Sequence, residues 1–159
     1  MKIVKKLIRK DDTTDFASYV FDKVLLSLDI PLRTDILEFM VRDTTSVLLN
    51  DDKAVINLDY DNVFLKESDE RAVRTILTRQ MYRIFFLERS RGSELDVNKE
   101  MIKNGHYDDL FYLYYSCISR TKHPTKEEAE FLSASLSTFD NRDDNMFLKN
   151  ALDNVITCR

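Results

Sequence analysis

The chain has 159 residues, 43% of them apolar and 33% charged, with a net charge of −4. That length and balance fit one globular domain over residues 1–159 with a substantial core, and they argue against disorder over most of the length. The negative balance disfavours binding of nucleic acid or an anionic membrane through bulk charge. Only Gly92 and Gly105 are glycines, so a dinucleotide fingerprint or phosphate loop, which needs several in a short window, is excluded.

The opening MKIVKKLIRKDD is basic but is followed by no long apolar run. It reads neither as a signal peptide nor as a membrane span, and no later segment is long enough to cross a membrane. Residues 2–9 read as an edge strand or an arm. A helix follows, capped by Thr13, Thr14 or Asp15, with Ala17, Phe21, Val24, Leu25 and Leu28 on its buried side and Pro31 past its end. Residues 36–41 fit a strand or a helix equally. Val47–Leu49 and Ala54–Leu58 read as strands joined by the turn Asn50-Asp51-Asp52-Lys53.

Residues 68–89, SDERAVRTILTRQMYRIFFLER, form the most apolar helix the chain can make. Ser68 is the expected N-cap, Asp69 and Glu70 suit the positive end of the helix dipole, and Gly92 is the expected stop. The rest reads as helical. Residues 93–104 form a short helix ended by Gly105. Tyr107, Leu110, Phe111, Tyr114 and Ile118 make an aromatic stripe. Thr125 with Glu128 makes a capping box before Ala129, Leu132 and Leu136. Asp143 or Asp144 caps a last helix carrying Phe147, Leu148, Ala151, Leu152 and Val155. The predicted class is α+β: a small antiparallel sheet in the first half packed on the central apolar helix, followed by a mostly helical second half.

Two cysteines, Cys117 and Cys158, make no disulfide framework, and a reducing cytoplasm is the expected compartment. Cys117 sits at core spacing beside Tyr114, Tyr115 and Ile118 and reads as a small buried apolar residue rather than a nucleophile. His106 and His123, the two histidines, match no ligand spacing with Cys117, so neither a metal nor another cofactor is expected. Asp140 to Asn145 lacks the glycine and closing glutamate of a calcium loop and reads as a solvated loop and helix cap. Tyr107, Phe111, Tyr112, Tyr114 and Tyr115 exceed what one helix face needs, which points to some rings covering a protein partner or a homodimer seam.

Arg79, Gln80 and Arg83 are the candidate site. At about 100° per residue the two arginines fall within roughly 40° of each other, sharing a sector with Ala72, Ile76 and Phe86. Guanidiniums on an apolar stripe need partners, because unpaired buried charge is very costly.

The order of the first half, a helix ending in Leu-Asp-Ile-Pro (28–31), short strands ending in Ala-Val-Ile-Asn-Leu (54–58), a polar stretch and then the apolar helix, resembles the core of zincin metallopeptidases of the compact minigluzincin type. The resemblance covers residues 13–90. It implies a helix whose His-Glu-x-x-His motif binds zinc through two histidines and uses the glutamate as general base. Here the same positions read Arg79-Gln80-Met81-Tyr82-Arg83, which removes both ligands and the base. On this resemblance the chain is a zincin-like protein with no peptidase centre, serving a binding, scaffold or regulatory role. The two arginines would then replace the metal's positive charge and pair with acids such as Asp108 and Asp109. The alternative is an anion- or nucleic-acid-binding domain that uses the arginine-rich helix, with Arg79 and Arg83 as a fork for phosphate or carboxylate.

Overall fold

The computed structural model describes residues 1–121 and 124–157, which divide into two compact units, residues 1–93 and residues 94–159. The first unit holds β1 (Lys2–Lys6), α1 (Asp12–Leu26), β2 (Ile36–Arg42), β3 (Ser46–Asn50), β4 (Lys53–Asp59), α2 (Val63–Lys66) and α3 (Glu70–Leu87). Its four strands form one sheet in the order β1-β2-β4-β3.

The segment at 36–41, open between helix and strand on its pattern alone, is the strand β2. Leu37, Phe39 and Val41 are buried on one face, while Glu38 and Met40, buried on the other, mask the alternation. The sheet is mixed rather than antiparallel. β1 and β2 are parallel, as are β2 and β4, and only β3 and β4 run antiparallel. The reason is connectivity: α1 carries the chain back over the sheet between β1 and β2, which yields a parallel pair, whereas the short turn at Asp51-Asp52 yields a hairpin. Asp51 takes the left-handed conformation there, with φ 51°.

One face of the sheet is the core. Leu37, Phe39, Ala54 and Ile56 are fully buried, and Phe21 from α1 stacks on Phe39 with centroids 4.2 Å apart. The opposite face carries Ile36, Glu38 and Met40 from β2 with Lys53, Val55 and Asn57 from β4. The central helix α3 contributes Ala72, Val73, Leu77, Met81, Tyr82 and Ile84, all inaccessible to solvent.

The caps differ from expectation by a few residues. Asp11 caps α1, its carboxylate accepting from the Thr14 N–H at 2.9 Å, and Asp69 caps α3 by accepting from the Ala72 N–H at 3.1 Å. Ser68, expected at that place, has φ 55° and lies outside the helix. A carboxylate three residues before a free N–H suits the same role, and it also meets the helix dipole. α3 stops at Leu87, ahead of Gly92. Gly92 has φ 110°, and an added Cβ would stand 2.6 Å from Phe86 Cβ, so the glycine serves the close return of the chain.

The second unit is helical: α4 (Glu94–Lys103), α5 (Tyr107–Arg120), α6 (Lys126–Thr138) and α7 (Arg142–Thr157). Thr125 caps α6 as the capping box predicts, accepting from the Glu128 N–H. At α7 the cap is Asn141, whose Oδ1 accepts from the Asp144 N–H, not Asp143 or Asp144. Phe139 anchors this unit, 1% exposed, with Tyr107, Phe111 and Tyr114 set edge-on around it. Phe147, expected in the core, is 50% exposed, because Leu148 and Leu152 occupy the inward positions of α7. Helices therefore dominate the second half and the sheet lies in the first, the α+β arrangement anticipated. Among the described residues no helix is long and apolar enough to cross a membrane.

Candidate functional site

α3 sets Arg79 and Arg83 one turn apart, with Gln80 beside them. All three are half-buried, whereas their neighbours Met81 and Tyr82 are fully buried. Neither arginine is without a partner. Two guanidiniums thus sit at the border of the core, where apolar neighbours on the helix limit their hydration. A guanidinium offers only donors and an amide takes up no proton at ordinary pH, so these three side chains bind or brace rather than ligate a cation or act as a base.

Tyr82, inside the same pentapeptide, ties this helix to the α1–β2 loop. Its hydroxyl donates to Asp29 Oδ1 at 2.6 Å. Five residues past Arg83, at the C-cap of α3, Glu88 grips the same loop. Its Oε2 accepts from the Arg33 N–H at 2.8 Å, the Thr34 N–H at 2.6 Å and the Thr34 hydroxyl at 2.6 Å. The Glu88 side chain is only 4% exposed, and its Oε1 is buried without a hydrogen bond, 3.6 Å from Arg89 Nη1. The helix that carries the arginines is therefore locked at Tyr82 and Glu88 to one loop. Pattern reading passed over both. The signal for Glu88 was present: a carboxylate at the C-terminal end of a helix opposes the dipole, so a specific set of donors has to hold it.

Around this, other charges are paired. Glu38, 3% exposed in the middle of the sheet, takes Lys6 Nζ at 2.5 Å on Oε1 and Lys53 Nζ at 2.6 Å on Oε2. These two ammonium groups, Lys53 foremost, hold its carboxyl below the usual carboxylate range. Tyr60 donates to Asp11 Oδ2 at 2.7 Å, and this bond lowers the pKa of Asp11. The Arg9 guanidinium stands 3.9 Å and the Lys66 ammonium 3.4 Å from the centre of the Tyr60 ring. Lys23 joins α1 to α3 through Glu70 at 2.6 Å, and that bond raises its pKa. On α3, Thr75 is 2% exposed and its hydroxyl donates to the Arg71 carbonyl at 2.8 Å. Arg71 itself is exposed.

The remaining candidates fall in the second unit. His106 is half-buried at the N-cap of α5 and makes no side-chain capping bond, and Asp108 and Asp109 stand in that helix's first turn. Cys117 is half-buried rather than fully enclosed. His123 and Cys158 lie outside the described residues. Among the described residues, no three His, Cys, Asp or Glu side chains gather as a metal site. The polar core of this unit went unnoticed in the sequence. Asn98, 1% exposed, donates from Nδ2 to the Tyr114 hydroxyl at 2.8 Å and to Thr138 Oγ1 at 3.2 Å. Tyr107 donates to Asp144 Oδ2 at 2.5 Å, and burial with that bond raises its pKa well above the ordinary phenol range.

Compared with known protein families, with curated proteins and with solved structures, the chain has no match in any of the three.

Proposed function

We propose that the chain is a non-enzymatic, zincin-like binding, scaffold or regulatory protein of the cytoplasm, acting on a protein partner or a second copy of itself. The observation that carries this reading is the state of Arg79, Gln80 and Arg83: half-buried on the central helix, at the spacing of a metal motif, with neither arginine without a partner. The order α1, β2, β3, β4, α2, α3 supports it as well, since it repeats the helix, strands and apolar helix on which the resemblance rests. Arginines that already have partners favour a braced, emptied site over an open anion pocket.

The decisive experiment rebuilds the lost motif. In the full chain, Arg79→His, Gln80→Glu and Arg83→His together should create a zinc site of about one ion per chain, because two histidines one helical turn apart meet a metal from the same face. Natural chain purified alongside should take up no stoichiometric zinc and cleave no peptide. A folded triple variant that ignores zinc would remove the zincin reading. Thermal stabilisation of the natural chain by phosphate, sulfate or short RNA, lost in Arg79→Ala, would put the anion-binding alternative in its place.

A further inference from the structure

β1 is lightly held to the sheet. None of its five side chains is buried: Val4 is half-buried and Ile3 is 36% exposed. It sits at the sheet edge and pairs with β2 alone. Beyond the backbone ladder it has two lysine tethers, one on each face. Lys5, on the core face, reaches α1, with Nζ 2.8 Å from Ser18 Oγ and 2.7 Å from Asp22 Oδ1. Lys6, on the opposite face, reaches Glu38 Oε1 at 2.5 Å. Asp22 and Lys6 are each 55% exposed, so water and salt screen both tethers.

The rest of the sheet does not depend on this strand. Leu37 and Phe39 of β2 are fully buried, with Phe21 of α1 stacked on Phe39, and Glu38 keeps Lys53 as a second partner. Removing β1 therefore uncovers little apolar surface and leaves Glu38 paired.

We propose that β1 is a displaceable strap: it lifts from β2 as a unit while β2, β3, β4, α1 and α3 stay folded, and ionic strength sets how often it lifts. Lifting frees the outer backbone edge of β2 between Ile36 and Met40, a strand position that β1 refills on closing.

Amide hydrogen exchange of the full chain, followed residue by residue by NMR, tests this. The Lys2 N–H bonds to the Asp35 carbonyl at 2.7 Å, and the alternation of a parallel ladder then turns the Val4 and Lys6 N–H groups toward β2. These two amides should exchange at least about 100-fold faster than Ile56 of β4, because a local opening exposes them without global unfolding. Raising salt to about 1 M should speed Val4 and Lys6 several-fold further and leave Ile56 unchanged. The double variant Lys5→Gln, Lys6→Gln should show the fast rates already at low salt and lose the salt response. Protection of Val4 and Lys6 equal to that of Ile56 at both salt concentrations would overturn the proposal. So would a salt response that survives in the double variant, or a variant in which all three amides accelerate together. The salt comparison on the natural chain stands without the variant.

Discussion

Glu88 concentrates more bonding on one oxygen than any other carboxylate described above, and each bond goes to the same two residues, Arg33 and Thr34. Truncation to alanine would strand two backbone N–H groups and a hydroxyl on the α1–β2 loop, beside the 5% exposed Thr34. Glu88→Ala should therefore cost about 2–4 kcal/mol in urea unfolding, and Thr34→Val, which removes only the hydroxyl bond, about 1 kcal/mol. Equal losses in the two variants would mean that the backbone bonds contribute nothing. The candidate-site residues were legible as a group because identity and spacing alone mark Arg79, Gln80 and Arg83 as unusual on an apolar helix. Their degree of burial was not legible, since it depends on what the strands and loops bring against that face.

At the scale of the element, the strands show where periodicity succeeds and where it stops. β4 alternates cleanly between buried Ala54, Ile56, Leu58 and half-buried Val55, Asn57, Asp59, and its position could be read directly. β2 is buried on both faces through Met40, and the interruption at Glu38 hides its period, because the carboxylate is enclosed by lysines from two other strands that no local window contains. Pairing direction is likewise set by connections rather than by pattern. The Glu38 cluster also makes a prediction about acidity. Its carboxyl is lowered in the folded protein, so the cluster's contribution is complete above the ordinary carboxylate value of 4.5 and disappears as pH falls through the lower folded value. Glu38→Gln should be less stable than the natural chain by about 1–2 kcal/mol at neutral pH, with the gap closing on acidification below that value. A gap that stays constant down to about pH 3 would exclude ionisation of Glu38 as its source.

Taken as a whole, the order of elements read along the chain predicted the α+β class and the division of labour between its halves, and the structure resolves into two compact units. Nothing in the residues around Ser93 advertises that boundary: no run of proline, glycine and serine marks it, and Gly92 is committed to its approach to Phe86. The aromatic surplus of α5 was visible, and part of it does surround Phe139, while Tyr115 and Phe147, 5.1 Å apart, stay 38% and 50% exposed. Counting rings could not separate those two groups, because exposure depends on how α6 and α7 return against α5.

The two borders of the sheet are guarded unequally. β1 presents Lys2, Lys5 and Lys6, whereas β3 reads Ser-Val-Leu-Leu-Asn, has no charge of its own and leaves Leu48 56% exposed. Lysines at a sheet border discourage chains from adding to one another, so when concentrated protein is warmed, β3 is the place where aggregation should begin. Leu48→Lys should delay the onset of light scattering on heating while leaving the unfolding midpoint nearly unchanged, and a scattering curve identical to that of the natural chain would place the vulnerable surface elsewhere.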